Sequence, residues 1–245
     1  MAKHLDTEII VDNHAFPLRV HVERRSSVRI SIGKKHINLR LPRGLNSHQI
    51  DGYMDWAEKW IHKQYYSDDL LKNRFLHKSY RSGDTLELLG RVYTIYIQYE
   101  DRKSHGGKIE GTNIYLKLSN KDKEQNKNRA VKQLLSRLVS HSFLPFIKKR
   151  VFALNDQYFK KPITDVRLKY NATNWGSCSS KGNVNLSSRL LFAPLDVIDY
   201  VIVHELAHLI EMNHSARFWS IVSNVMPDYK EKERWLKING NACDF

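Results

Sequence analysis

Three histidines and a glutamate stand at His204, Glu205, His208 and His214, within the run His-Glu-Leu-Ala-His-Leu-Ile-Glu-Met-Asn-His. Residues four apart share one face of an α-helix. A helix over this run therefore sets His204 and His208 one turn apart, where two imidazoles grip a single Zn²⁺. Glu205 lies beside them, placed to take a proton from a water that the metal activates. His214, six residues past His208, closes a site of three protein ligands and leaves the fourth position to water. The competing account, a buried amphipathic helix whose histidines bond to backbone, leaves the spacing unexplained.

A catalytic zinc needs neutral imidazoles, an open coordination position and a nearby base. The metal lowers the pKa of bound water toward about 7, and Glu205 accepts that proton and later delivers it to the leaving group. The third ligand has a rival. Glu211, seven residues after His204, also comes round to the metal's face of a straight helix. Imidazole suits zinc, and Asn213 is of a type that adopts the left-handed conformation able to turn the chain back. These points favour His214, with Glu211 beside the site or, in the alternative, in its place. The spacing equals that of metzincins, which carry Gly where this chain has Glu211. Met226-Pro227-Asp228-Tyr229 is faintly similar to their methionine turn, which makes Tyr229 a candidate transition-state hydrogen-bond donor.

Ahead of the motif, residues 166–170 alternate as a strand and a turn-rich stretch begins at Asn171. Trp175-Gly176-Ser177-Cys178 and Val184-Asn185-Leu186 flank Lys181-Gly182-Asn183 and form a hairpin just before the metal helix, which Ala193-Pro194 opens. Ser177 and Cys178 have no paired base in the local sequence and are not read as nucleophiles. The small residues and Gly176 let a strand pass close to the cleft, and an edge strand there holds an extended substrate by main-chain pairing. Asn185 and Arg189 are candidates to bind a carbonyl or phosphate oxygen. Trp175, Asn185, Arg189, Glu211 and Tyr229 together form the set expected to touch substrate or support the ligands.

The charge is uneven. The chain has 40 Lys and Arg against 26 Asp and Glu, a formal +14, yet from residue 161 onward the count is ten against nine. The strongly basic first part attracts polyanions such as nucleic acid, nucleotides or acidic proteins, or else only aids solubility. No run of about 18 apolar residues exists, so no membrane span is expected. Met1-Ala2-Lys3-His4-Leu5-Asp6 lacks the apolar core of a secretory signal. Cys178 and Cys243 are the only cysteines and make no disulfide framework, so a reducing cytoplasm is expected.

The first 45 residues alternate as strands. Leu18, Val20 and Val22, then Val28, Ile30 and Ile32, then Ile37, Leu39 and Leu41 mark one face, while Arg19, Arg29 and Arg40 gather on the other with Arg24 and Arg25 nearby. Gly33-Lys34 and Pro42-Arg43-Gly44 break the pattern. Asn46 and Gln49 suggest a capping box for a helix with Ile50, Met54, Ala57 and Ile61 on its apolar stripe. Alternation returns at Leu86 and Leu88, at Tyr93 to Tyr99 and at Ile114 to Leu118. Residues 119–128 contain no apolar residue and are the best candidate boundary or exposed helix start. A long helix follows through Leu134 and Val139, kinked or ended by Pro145, and further helices hold Phe218 to Val225 and Trp235-Leu236. No internal repeat is visible. The expectation is an α+β protein with a β-rich basic domain over residues 1–120 and a zincin-like catalytic domain over 121–245.

Taken together, Trp175-Gly176-Ser177-Cys178, Asn183 to Leu186, Arg189-Leu190, Ala193-Pro194, Asp199-Tyr200-Val201, His204 to His208, Asn213-His214-Ser215, Phe218-Trp219 and Met226 to Tyr229 resemble the YgjP-like metal-dependent hydrolases. These bacterial proteins are grouped with zincin-type peptidases and are related in motif to the SprT and WLM proteases. Trp60-Ile61-His62 after basic strands extends the resemblance toward the amino terminus. The resemblance implies one zinc per chain on His204, His208 and His214 with Glu205 as base. It implies a metallopeptidase, although the family has also been linked to UTP pyrophosphatase activity. Pyrophosphohydrolases usually use Mg²⁺ or Mn²⁺ on carboxylates, so the three histidines favour peptide over nucleotide as substrate. A nucleic-acid-binding module with structural zinc is the remaining alternative, disfavoured because closed structural sites usually use four ligands rich in Cys.

Overall fold

A computed structural model describes residues 4–12, 14–33, 35–67, 71–72, 75 and 79–245, with the side chains of Glu124 and Gln125 excepted. Lys34 of the expected break, and Met1, Ala2 and Lys3 of the amino-terminal reading, lie outside these. The chain divides into two compact units, Met1–Lys78 and Ser79–Phe245.

In the first unit, β1 (His4–Val11), β2 (His14–Glu23), β3 (Arg29–Ile32) and β4 (Ile37–Pro42) form a sheet of order β1-β2-β4-β3. β2 and β4 run parallel and the outer pairs antiparallel. Alternation decides which side is buried. Phe16, Leu18, Val20, Ile37, Leu39 and Leu41 form a core with Ala57, Ile61 and Tyr65 of α1 (Ser47–Ser67). The expected capping box is present: Gln49 N donates to Asn46 Oδ1 at 2.9 Å and Asn46 N to Gln49 Oε1 at 3.0 Å. The outer face does carry the expected arginines, but Arg19 pairs with Asp6 (2.6 Å) and Arg40 with Glu23 (3.3 Å).

The second unit opens with β5 (Thr85–Leu88), β6 (Arg91–Glu100), β7 (Gly106–Glu110) and β8 (Asn113–Ser119), in the order β5-β6-β8-β7. This sheet repeats the first at an offset of 77 residues. Leu18 pairs with Ile37 as Ile95 does with Ile114, Ile30 with Leu39 as Gly107 with Leu116, and Ile9 with Phe16 as Leu86 with Tyr93. The helices that follow, α1 from Ser47 and α2 from Glu124 (Glu124–Leu154), begin at the same offset. No repeat is expected from the sequence because a sheet pairs through its backbone and needs only apolar alternation to hold register. Ile37, Leu39 and Leu41 keep their character at Ile114, Leu116 and Leu118 while the outward positions diverge. The copies differ where α2 takes on a second task. Leu135 and Val139 are fully buried, whereas their counterparts Glu58 and His62 are polar, with Glu58 Oε1 4.0 Å from His62 Nε2. α2 is apolar on more than one side, packing on β7 and β8 and also on the strand Asp165–Lys169 and the metal helix.

β7 escapes sequence reading because Gly106-Gly107 breaks the alternation. A side chain at Gly107 would collide with the Tyr115 carbonyl, 2.5 Å from where a Cβ would lie. α2 runs through Pro145 rather than ending there, and a π-helical turn, Asn155–Phe159, follows it. The unit then adds β9 (Asp165–Lys169), β10 (Gly176–Cys178) and β11 (Asn183–Ser187) as a sheet of order β10-β11-β9. A 3₁₀ turn, Ser188–Phe192, leads to α3 (Leu195–Ala207), α4 (Ala216–Val225) and α5 (Tyr229–Asn239).

The division at 78/79 departs from the expected boundary at 120. The polar stretch 119–128 runs from the last residue of β8 through a turn into the start of α2, and the sheet before it shares one core with the metal helix: Leu86, Ile95 and Leu116 cluster with Val166, Ile198 and Leu206. A mark of low hydrophobicity in the sequence cannot tell a linker from a loop whose flanking elements pack together.

Candidate metal centre

α3 is buried nearly all round, and Arg150 of α2 grips the almost buried Asp199 through both of its carboxylate oxygens. This fixes the helix that carries His204, Glu205 and His208. α3 ends at Ala207, with His208 as its C-cap at φ −64° and ψ −17°. The chain leaves through tight turns in which Ile210 N and Glu211 N both reach the Ala207 carbonyl at 3.0 Å. Asn213 does not adopt the left-handed conformation expected of it; among the described residues only Asp12, Leu89 and Lys160 do so without being glycine. The return of the chain rests on these turns and on Ser215, which caps α4 by accepting from Phe218 N at 3.3 Å and follows His214 directly.

His204, His208 and His214 come together. Their ring centroids lie 5.1, 5.0 and 4.8 Å apart in the pairs 204–208, 204–214 and 208–214. The Nε2 atoms of His204 and His214 are 3.0 Å apart, and one nitrogen from each of the three rings lies within 4.8 Å of the others. Tetrahedral coordination with Zn–N bonds of about 2.0–2.1 Å separates donor atoms by about 3.3 Å, so the donor set fits one such ion. Among the described residues no other group of three such side chains is placed to hold a metal. His208 Nδ1 donates to the Glu211 carbonyl at 3.1 Å, which sets its tautomer and turns Nε2 toward the other imidazoles. Glu211 thus reaches the site through its backbone, while its carboxylate lies 3.9 Å from Arg217 and outside the donor set.

Burial, then the neighbouring His208 and His214, pushes the His204 pKa down to about 4, and burial lowers that of His208 also. Both rings are neutral near pH 7, the form that binds a metal. Glu205 is 5% exposed, and burial raises its pKa to about 8.

Three aromatic residues absent from the sequence-derived site support these rings. Phe218, fully buried, lies 4.9, 4.6 and 4.8 Å from His204, His208 and His214. Trp219 flanks His204 at 5.8 Å and His214 at 5.9 Å, and Tyr200 flanks His204 at 6.1 Å. Tyr200 was accessible to helical spacing, being four residues before His204. Phe218 was not, because α4 folds back only in three dimensions. Replacing Phe218 by Leu is expected to weaken zinc binding about tenfold, the lower end of what loss of a supporting contact costs, as read by competition with a chromophoric chelator. Unchanged affinity would show that the ring only fills space.

The remaining expected residues separate. Tyr229 stacks on Trp219 (5.3 Å) and on Tyr200 (6.4 Å), one layer behind the imidazoles. Asn185 lies opposite Ser177, and its Nδ2 donates to Ser177 Oγ at 3.2 Å. Successive strand residues face opposite sides, and since Gly176 faces Glu205, Ser177 and Asn185 point away from the cleft. Arg189 turns inward. Its Nε, Nη1 and Nη2 donate to the carbonyls of Cys243 (2.7 Å), Ala172 (3.0 Å) and Gly240 (2.7 Å), and its guanidinium stacks 4.6 Å from the Trp175 ring. Arg189 and Trp175 therefore rivet the 171–175 turn to the 240–243 segment instead of meeting substrate. Arg189→Ala is expected to cost about 2 kcal/mol or more in urea unfolding, from lost charge-assisted bonds and orphaned carbonyls. A change confined to KM would restore the substrate-contact reading.

The arrangement joins three clustered imidazoles, a buried carboxyl and an edge strand. The solved structures it is similar to include the metallopeptidase zymogen abylysin of Pyrococcus abyssi, at 26% identity over 37% of this chain and 92% of that one with a TM-score of 0.34. They include also the zymogen jannalysin of Methanocaldococcus jannaschii, at 23% identity over 38% and 92% with a TM-score of 0.33. No curated protein matches the chain. The YgjP-like family, described as a metallopeptidase domain, matches residues 26–239. A match over so much of the chain, with the histidine cluster inside it, places this protein in the YgjP-like metallopeptidase-domain family.

Proposed function

We propose that this chain is a zinc-dependent peptidase in which His204, His208 and His214 hold the metal and Glu205 is the general base. The observation that carries this reading is the convergence of the three imidazoles, with the buried carboxyl of Glu205 next to His204 on α3. Zinc held there would polarise the scissile carbonyl and make water acidic enough to lose a proton near neutral pH. The positive charge of zinc would offset the burial that raises the Glu205 pKa and keep a carboxylate there, which takes that proton and passes it to the departing amine. Phe218 and the turn at Glu211 hold the rings in place, so little reorganisation is needed during the reaction. β10 stands at the edge of its sheet and lies against Glu205, so an extended chain paired along it brings a peptide carbonyl to the carboxylate.

Arg19 and Arg40, from the basic face expected to attract polyanions, each meet a carboxylate on a neighbouring strand. Substrate contact is therefore assigned to the cleft. Among the described residues no helix is long and apolar enough to cross a membrane, and a chain with only two cysteines suits a reducing cytoplasm. The test is a hydrolase screen of zinc-loaded protein on casein-like polypeptides and on nucleoside triphosphates, with Glu205→Gln as control. Polypeptide cleavage lost in the variant supports the reading. Triphosphate hydrolysis with no peptide cleavage would overturn it.

A further inference from the structure

We infer that Gly176 is a positioning residue for Glu205: the absent side chain on β10 is the seat that holds the general base, an inference that rests on the peptidase reading. A Cβ built on Gly176 would lie 2.6 Å from Glu205 Oε1, 2.7 Å from its Cγ and 2.8 Å from its Cδ. All three nearest neighbours belong to the same side chain. The carboxyl arm lies flat on the strand backbone from Cγ outward, in the space where any other residue begins. Glu205 is 5% exposed, so the arm has little free volume in which to swing aside. A methyl group there displaces the carboxyl from its place beside the imidazoles.

Two other glycines of this unit show what a scaffold role looks like. A Cβ at Gly182, where φ is +77°, would meet the Pro162 carbonyl at 2.6 Å, and one at Gly240 would meet the Leu236 carbonyl at 2.4 Å. Both collide with backbone, so their replacement strains the fold itself. Gly176 has no left-handed φ, and the three nearest atoms it would meet are all of the Glu205 side chain. The main chain therefore tolerates alanine at 176, and the cost falls on the geometry of the base.

Gly176→Ala, made in the wild-type chain and in a Glu205→Ala background, tests this. In the wild-type background kcat is expected to fall about a hundredfold, the usual consequence of a misplacement of about 1 Å. KM and the zinc stoichiometry should hold. Alanine at 205 has none of the three atoms that the new methyl would meet, so the midpoint of urea unfolding, which Gly176→Ala should lower in the wild-type chain, should hold in the Glu205→Ala background. Crystals of zinc-loaded Gly176→Ala should show the carboxyl displaced with the three imidazoles unmoved. Equal shifts of the unfolding midpoint in both backgrounds, or an unmoved carboxyl in the crystals, overturn the inference. Should Gly176→Ala not fold, the double variant must fold, since the collision is gone, and its failure also overturns it. If the wild-type protein cleaves no peptide, the proposed activity falls, while the crystallographic comparison still decides whether Gly176 seats the carboxyl.

Discussion

Replacing Glu205 with Gln should lower kcat on a polypeptide substrate by about 10²–10⁴-fold, the range attributable to a positioned general base. The substitution keeps the shape of the side chain and removes only its capacity to hold a proton. Glu205 is nearly buried and its desolvated carboxyl has a pKa raised to about 8, so a neutral amide suits the same pocket and the fold should not suffer. The three imidazoles are untouched, and zinc should bind at one ion per chain in the variant as in the wild type. The decisive measurement pairs steady-state kinetics with metal analysis on the same preparation. Turnover that survives in zinc-loaded Glu205→Gln removes the proton-transfer role. Loss of metal together with turnover would instead mean that Glu205 shapes the ligand cluster.

His214→Ala should weaken zinc by more than about 100-fold, beyond the about 10–100-fold that loss of a supporting contact costs, whereas Glu211→Ala should leave one ion bound. The asymmetry follows from geometry. The Nε2 of His214 stands 3.0 Å from that of His204, while Glu211 contributes its carbonyl to His208, a contact alanine retains. Zinc should also stabilise the wild-type protein against heat. A ligand at about 100 times its Kd adds about 2.7 kcal/mol, and that increment should vanish on chelation and be absent from His214→Ala. Retention of stoichiometric zinc in His214→Ala and its loss in Glu211→Ala would reverse the assignment.

The metal cluster was legible because its logic is local for two of three ligands. The pair His204 and His208 needs only a helical turn, and α3 supplies it. His214 was reached through ligand chemistry, and the structure brings it to the other two by a different path, through consecutive turns and the Ser215 cap in place of a left-handed Asn213. The capping box at Asn46 and the strands around Leu18 and Leu39 were equally local. What failed was each inference that depended on the direction of a side chain within a packed unit. Asn185 and Arg189 lie close in sequence to the cleft strand, yet strand alternation turns one outward and three backbone carbonyls claim the other. The boundary at 120 failed for a related reason, since the core that joins β5–β8 to the metal helix is built from residues distant in the chain.

The amino-acid order alone determined the spacing of the histidines and Glu205, the helix that presents His204 and Glu205 and the alternation of the strands, because these depend on residue type and on periods of two and about 3.6. Only the tertiary structure decided that the fold of the amino-terminal half is doubled, that Phe218 underlies all three imidazoles, and that Glu205 rests where Gly176 has no side chain. Those features arise from close packing between elements far apart in the chain, where a single methyl group decides which neighbour fits.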